Sequence, residues 1–425
     1  MLPKRAREAA CGIGSELPWD RVRDIDLFQQ ALGLPKPWYV VRSDFDPAAR
    51  RLDLFLDFES GGTFPCAECG RAECKAYDTS KKEWRHLNFF QYEAYLHARV
   101  PRVQCSKCGV KQVEVPWARP GSGFTLLFEA VVLMLAKSMT MAEAARFLGE
   151  HDTKLWRIVH HYVDQARASA DFSTVRHVGV DETASKRGHN YISLFVDLAH
   201  SRLLFATDGR HGATLGAFRA DLEAHGGSAA AIEEMCIDMS PAYRKGIAEH
   251  FPEARVTFDK FHLVKLLNTA VDEVRRQEQR QEPQLKHTRF TWLTNPEQLT
   301  HRQIAHYDAL WQQNLKTVRA YHLRLSFQDL WSQPRTHAEA FLKKWYGWAI
   351  RSRLDPIVGF ARTVKSHWDG VLNWFQSRIS NGVLEGINSL IQAAKAKARG
   401  YRTNRNLIAM AYLIAGKLDF RTLPI

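Results

Sequence analysis

No stretch of this sequence is long and apolar enough to cross a bilayer: its most apolar run, Leu126 to Ala136, is short and carries Glu129, whereas a span needs about 20 apolar residues. The opening segment, MLPKRAREAACGIGSELPWD, has basic residues with no apolar run behind them, which argues against a secretory signal. Acid is in deficit. Lys and Arg number 59 against 46 Asp and Glu, a net charge of +13, and a surplus of that sign favours a polyanionic partner, nucleic acid first, through release of condensed counterions. Cysteine is sparse, and five of the seven lie between Cys66 and Cys108. In the reducing cytoplasm expected for such a chain, that clustering points to metal and away from a disulfide framework. No fixed-period repeat is evident. What remains is an ordinary globular composition, 45% hydrophobic and 25% charged, in 425 residues, too long for one core because single domains stop growing at roughly 250 to 300 residues.

Residues Trp38 to Asp46 and Arg51 to Glu59 alternate apolar and polar side chains around PAAR, a hairpin pattern. From Phe124 to Ser169 the period becomes helical, with breaks near Thr140 and at Gly149. Five β-rich runs follow, VRHVGVDE, NYISLFVDLA, RLLFATDGR, AIEEMCIDM and ARVTFDKFH, with helical stretches at Ala213 to Ala224 and near Tyr243 to His250. Strands interleaved with helices indicate an α/β domain. From Leu263 to about Ser377 strands vanish, and seven of the twelve tryptophans fall there. We expect that part to be all-α, and one more long helix to begin near Gly382.

Cys66-Ala-Glu-Cys69-Gly and Cys105-Ser-Lys-Cys108-Gly are two CxxC knuckles. Together they supply four thiolates to one tetrahedral structural zinc, with Gly permitting the turn beyond each second ligand. The run FFQYEAYLHARVPRVQC between them is expected to form strands that bring the knuckles together. Cys74 is an alternative ligand, His86 and His97 are weaker ones, and Cys11 and Cys236 read as ordinary cysteines. In MTMAEAARFLGEHDTKLWRIVHHYV, Ala142 to Leu148 makes a short helix, Gly149 a sharp turn, and Asp152 caps a second helix. Leu155, Val159 and Val163 share one face of that helix, while Lys154, Arg157 and His161 form another, suited to a DNA groove.

Asp181 ends the first strand of the α/β region, Asp238 ends the fourth, and Glu385 opens the last helix. Phosphodiester chemistry with two divalent ions needs hard oxygen ligands from different elements converging on one point, and two adjacent strand ends with one helix face meet that need. At about 100° per residue Glu385, Asn388, Ser389, Gln392 and Arg399 share a polar side, with Leu384, Ile387, Leu390 and Ile391 toward the other. Glu182 should point away from Asp181 on an extended strand. Asp197 and Asp208 read as solvated or capping strand-end acids. Lys395, Lys397, Arg399, Arg402 and Arg405, downstream of Glu385, are suited to gripping phosphates.

The segments VGVDETASKRGHNYISLFVDL, CIDMSPAYRKGIAEHFPEARVTFDKFHLVKLLNTAVDEVRR and SNGVLEGINSLIQAAKAKARGYR closely resemble the signature segments of the DDE transposases of bacterial insertion sequences, specifically the ISL3 family. LFQQALGLPKPWYVVRSDFDP and FPCAECG resemble that family's amino-terminal region and zinc knuckle. The resemblance implies a multidomain α/β chain: an N-terminal β unit (1–60), a zinc-binding domain (61–119), a helix-turn-helix (120–170), and a ribonuclease H-like catalytic domain (171–263 and 376–425) interrupted by an all-α insertion (264–375). It places the family's three acids on Asp181, Asp238 and Glu385, holding two Mg²⁺ or Mn²⁺ ions, with Asp259 and His262 as supporting positions beside the metals. The implied partners are double-stranded DNA, as terminal inverted repeats and target, and a second copy in at least a homodimer, with no membrane. The implied place is a bacterial cytoplasm, with nucleoid association when bound to DNA. The implied activity is cleavage of element ends and joining of the 3′-hydroxyl to target. A zinc-containing DNA-binding regulator derived from a transposase is the alternative, and a stand-alone nuclease a third.

Overall fold

A computed structural model of the chain describes residues 24–188, 190–209, 212–378 and 382–420; Cys11 lies outside them. They divide into two compact units, the first running to Met139 and taking in Glu143–Ile158, the second taking in Thr140–Ala142 and Val159–Phe420.

The first unit begins with α1 (Asp24–Leu32) and continues through β1 (Trp38–Asp46), β2 (Arg51–Phe58), β3 (Thr63–Phe64), β4 (Cys74–Phe89), β5 (Tyr92–Cys105) and β6 (Gly109–Gln112). The β1–β2 hairpin closes where expected, with Asp46 opposite Arg51 and the Asp46 carboxylate accepting the N–H groups of Ala48 and Ala49 in the turn. The alternation in β2 is literal: Leu52, Leu54 and Leu56 are buried, and the residues between them are half-exposed. Those leucines need a neighbour, and β2 finds one in parallel pairing with β5. A single sheet of order β1-β2-β5-β4-β3, with β6 on β5, therefore unites the N-terminal hairpin with the cysteine region. One core of Trp38, Leu54, Trp84, Leu96 and Trp117 serves both.

Three helices follow, α2 (Leu126–Ser138), α3 (Met141–Leu148) and α4 (Asp152–Ala168). Thr125 caps α2 by accepting the Phe128 N–H. Gly149 turns the chain at φ +71°, and a Cβ there would stand 2.9 Å from Glu93 Oε1. On α4, Leu155, Val159 and Val163 are buried and Lys154, Arg157 and His161 exposed, the expected division.

In the second unit, β7 (His177–Ala184), β8 (Tyr191–Asp197) and β9 (Arg202–Asp208) form an antiparallel meander. After α5 (Ala213–Ala224), the strands β10 (Glu234–Ile237) and β11 (Arg255–Phe258), joined by α6 (Pro241–His250), add to it in parallel with β7. The order is β11-β10-β7-β8-β9. Its core stacks Phe195 on Phe218 and Phe218 on Phe251.

From Lys260 to Ser377 the described residues contain helices and no strand: α7 (Lys260–Glu278), α8 (Arg289–Leu293), α9 (His301–Trp311), α10 (Lys316–Gln328), α11 (Arg335–Ile350), α12 (Asp355–Ser366) and α13 (Trp368–Ser377). They enclose a core of their own around Trp292, Tyr321, Phe327 and Trp345. The indole N–H groups of Trp292 and Trp345 find the Thr288 hydroxyl and the Leu323 carbonyl, as buried indoles require. The chain closes with two helices, α14 (Gly382–Lys397) and α15 (Asn404–Ala415), where one long helix was expected. Arg399 at φ +55° and Gly400 at φ +97° end α14 in the left-handed region, so Arg399 does not share its polar face. Leu390 also departs from expectation, being 54% exposed: it lies roughly 90° from the centre of the buried Leu384, Ile387 and Ile391 stripe.

Candidate active site and zinc centre

β7 runs three residues past Asp181, which therefore lies within the strand, beyond the level at which β10 ends. The pairs Cys236↔Gly179 and Ile237↔Phe258 carry the register forward, so the three acids stand level on adjacent parallel strands, Asp238 and Asp259 just past the carboxyl ends of β10 and β11 and Asp181 within β7 beside them. That edge of an open α/β sheet is where ligands bind, since side chains there project past the last paired residues. The Asp181 carboxylate accepts the Glu182 N–H at Oδ1 (2.8 Å) and the Asn388 amide at Oδ2 (3.1 Å). Burial pushes its pKa up, and the Asp238 charge adds to the rise; the Glu182 N–H, His262 and Asn388 oppose it. Asp238 accepts the Ser240 N–H at 2.8 Å.

Asp259 caps α7 by accepting the Phe261 N–H and pairs with His262 Nδ1 at 2.9 Å. Asp259 raises the His262 pKa, and the charges of Asp181 and Asp238 act in the same direction. The supporting pair thus combines a helix cap with an imidazole that feels both acids. Glu385 rides the exposed side of the first turn of α14, one turn before Asn388. Gly179 allows that helix its close approach: a Cβ there would lie 3.4 Å from Leu384 and 2.8 Å from Leu198. The three acids are more widely spread than a single-ion cage, since among the described residues the cysteine quartet is the one group whose ligand atoms all lie within 4.8 Å of one another.

Glu182 lies near Tyr243, a buried residue whose hydroxyl meets Ser193 at 2.9 Å. Asp197 is a cap, not a solvated acid. Fully buried, it accepts the N–H groups of Ala199 and His200 and the Arg202 Nε. Asp208 takes the Asn404 amide. Lys395, expected among the DNA contacts, is turned inward onto the Ala184 carbonyl, while Lys397, Arg399, Arg402 and Arg405 are exposed. Thr183 escaped the sequence reading. It bonds Asn388, and its position two residues beyond Asp181 on the same strand face was the available signal.

In the first unit, Cys66, Cys69, Cys105 and Cys108 form that quartet. Cys69 and Cys105 Sγ stand 3.7 Å apart, close to the about 3.8 Å edge of a tetrahedron with Zn–S of about 2.3 Å. The β4–β5 hairpin returns Cys105 to the Cys66 knuckle, as expected of the intervening strands. The backbone N–H groups of Lys107 and Cys108 hold the Cys105 thiol well below its ordinary range, favouring the thiolate a metal needs. Cys74 lies outside the quartet, directed at the Arg71 carbonyl. His86 bonds Thr125 and His97 bonds Asp53, so neither is a ligand. Cys236 is buried in β10.

Residues 178–411 match the profile of a family described as a transposase, its DDE domain of the ISL3 type. Residues 113–163 match the helix-turn-helix domain of transposase family ISL3, and residues 63–108 the zinc-finger of the IS204/IS1001/IS1096/IS1165 transposases. The chain is 29% identical to the transposase for insertion sequence element IS1557 of Mycobacterium tuberculosis, over 92% of this chain and 96% of that protein. It is 30% identical to the transposase for insertion sequence element IS1001 of Bordetella parapertussis, over 84% and 89% respectively. With acids level on adjacent parallel strands, a cysteine quartet and an exposed basic helix face already in place, the chain belongs to the ISL3 family of DDE transposases.

Proposed function

We propose that the chain binds the terminal inverted repeats of its own insertion sequence, cleaves a strand to expose a 3′-hydroxyl, and joins that hydroxyl to target DNA. In this reading the five-stranded sheet and α14 make a ribonuclease H-like domain, and α7–α13 are an insertion between its second and third acids. The observation that carries the reading is the level placement of Asp181 and Asp238 on neighbouring parallel strands, with α14, the helix that carries Glu385, held against β7 through Asn388. These groups fit Mg²⁺ or Mn²⁺: the donors are hard carboxylate oxygens from separate elements, and the half-buried Asp181 lies beside a second negative charge that a cation would relieve. A pair of ions about 4 Å apart also accounts for carboxylates spread wider than a single-ion cage. When bound, such ions neutralise charge on the attacking and leaving oxygens of an in-line displacement.

The chain's own residues do the rest. Glu182 N–H and Asn388 fix the plane of the Asp181 carboxylate, Ser240 N–H fixes that of Asp238, and Asp259 orients His262 toward both. Arg157 and His161 on α4 read the repeat, with Lys154 beside them. Lys397, Arg399, Arg402 and Arg405 hold phosphates. The thiolate quartet holds one structural zinc, and pairing of two element ends calls for at least a homodimer. Incubating the purified protein with labelled element ends and a plasmid target tests all of this together. Joined product is expected. Cleavage without joining would make the chain a nuclease, and binding alone a regulator.

A further inference from the structure

Asn388, Gln392 and Lys395 follow one another at spacings of four and three along one side of α14, facing Thr183 and Ala184 of β7. Lys395 Nζ donates to Gln392 Oε1 at 3.2 Å. Gln392 Nε2 donates to the Thr183 hydroxyl oxygen, that hydroxyl donates to Asn388 Oδ1 at 2.6 Å, and Asn388 Nδ2 donates to Asp181 Oδ2 at 3.1 Å. The sense of the chain follows from its first member. An ammonium only donates, so the Gln392 oxygen must face it and the Gln392 amide must face Thr183. The Thr183 oxygen is then taken as an acceptor. Its single proton goes to Asn388, whose NH₂ is left for the carboxylate. Were any amide reversed, an oxygen would oppose the Asp181 carboxylate.

We infer that Asn388 is a positioning residue for Asp181, and that Lys395, Gln392 and Thr183 are the one-way hydrogen-bond chain that orients it. This rests on the reading of Asp181 as a metal ligand. Hydrogen bonds aligned head to tail polarise one another in a low-dielectric setting, so the Lys395 charge is felt at Asp181 through four bonds. Thr183 is 2% exposed, which shields the middle of the chain from competing water. With Glu182 N–H on Oδ1 and Asn388 on Oδ2, the carboxylate is held at both oxygens. The same bonds fix the rotation of α14 against β7, and Glu385 rides that helix one turn before Asn388. Lys395 is accordingly part of the metal site's support, not a phosphate contact.

The test is Mn²⁺ binding to the full-length, zinc-loaded chain without DNA, followed by the paramagnetic resonance of the free ion. Partners that orient a metal ligand are each worth about 10–100-fold in metal affinity. Asn388→Ala is expected to weaken Mn²⁺ by that factor with zinc content and circular dichroism unchanged. Thr183→Val keeps the shape but removes the relay and should weaken binding in the same direction, whereas Thr183→Ser, which keeps the hydroxyl, should restore near-wild-type affinity. Lys395→Ala should weaken Mn²⁺ while leaving the salt dependence of DNA binding unchanged. Wild-type Mn²⁺ affinity in both Asn388→Ala and Thr183→Val would overturn the chain's role. Asp181→Ala separates the two levels: if it alone loses Mn²⁺, the metal site stands and the relay fails, and if it too binds normally, the metal-site reading itself fails.

Discussion

His86 sits half-buried between sheet and helix, its Nδ1 2.9 Å from the Thr125 hydroxyl that caps α2. That hydroxyl also accepts the Phe128 N–H, and its own proton can go to the bare Nδ1 of a neutral imidazole. Burial and the adjacent Arg85 push its pKa down to about 4. An unfolded histidine titrates near about 6.5, so between the two values the unfolded chain binds the extra proton and stability rises with pH. The contribution is present above about 6.5 and is lost as pH falls toward 4, amounting to roughly 2 kcal/mol at about pH 5. Urea titrations at pH 7 and pH 5 should show His86→Gln losing less stability on acidification than the wild type. Equal losses would mean that His86 is protonated in the fold. Residues of this kind expose the limit of sequence reading. Asp181 and Glu182 were separable by strand alternation alone, but Lys395 was not separable from Lys397, because which lysine turns inward depends on the distance from α14 to β7.

At the scale of elements, the β4–β5 hairpin makes one metal site from two knuckles far apart in sequence. A structural zinc is linked to folding of its domain. Cys66→Ser should therefore lose the metal and lower the unfolding midpoint, while Cys74→Ser, altering a thiol directed at a backbone carbonyl, should retain one zinc per chain by elemental analysis. Zinc loss in Cys74→Ser would put Cys74 in the ligand set. The knuckles were legible because CxxC-Gly carries its own geometry. The standing of Cys74 was not, since it depends on where β4 begins. The close of the chain was legible in kind but not in detail: Gly400 after a lysine- and arginine-rich turn is a helix stop signal, and the apolar count at Leu390 obscured the narrower buried stripe of Leu384, Ile387 and Ile391. Four of the five strands of the second unit fell within the expected runs, and β7 ran two residues past its own, to Ala184. The shared sheet of the first unit was hidden because parallel pairing of β2 with β5 leaves no local mark.

For the whole molecule, the proposed function gives the net charge of +13 two uses that salt can separate. Arg157 and His161 on the exposed face of α4 are read as base contacts, so their change to Ala should cut preference for the true end over scrambled duplex by about 1 to 3 kcal/mol. Lys397→Ala and Arg402→Ala should weaken binding to any duplex and flatten its salt dependence, because fewer counterions are released. Titrations with both duplexes at several salt concentrations check this, and unchanged discrimination in the α4 variants would move end recognition to the zinc region. In the proposed function Asp181, Asp238 and Glu385 act together as the metal-holding triad of strand cleavage. That claim's most direct measurement pairs Mn²⁺-dependent cleavage of a labelled element end with binding of the same end, for Asp181→Ala, Asp238→Ala and Glu385→Ala. Cleavage is expected to vanish in all three while binding stays near wild type, and cleavage near the wild-type rate in any one of them would contradict the claim.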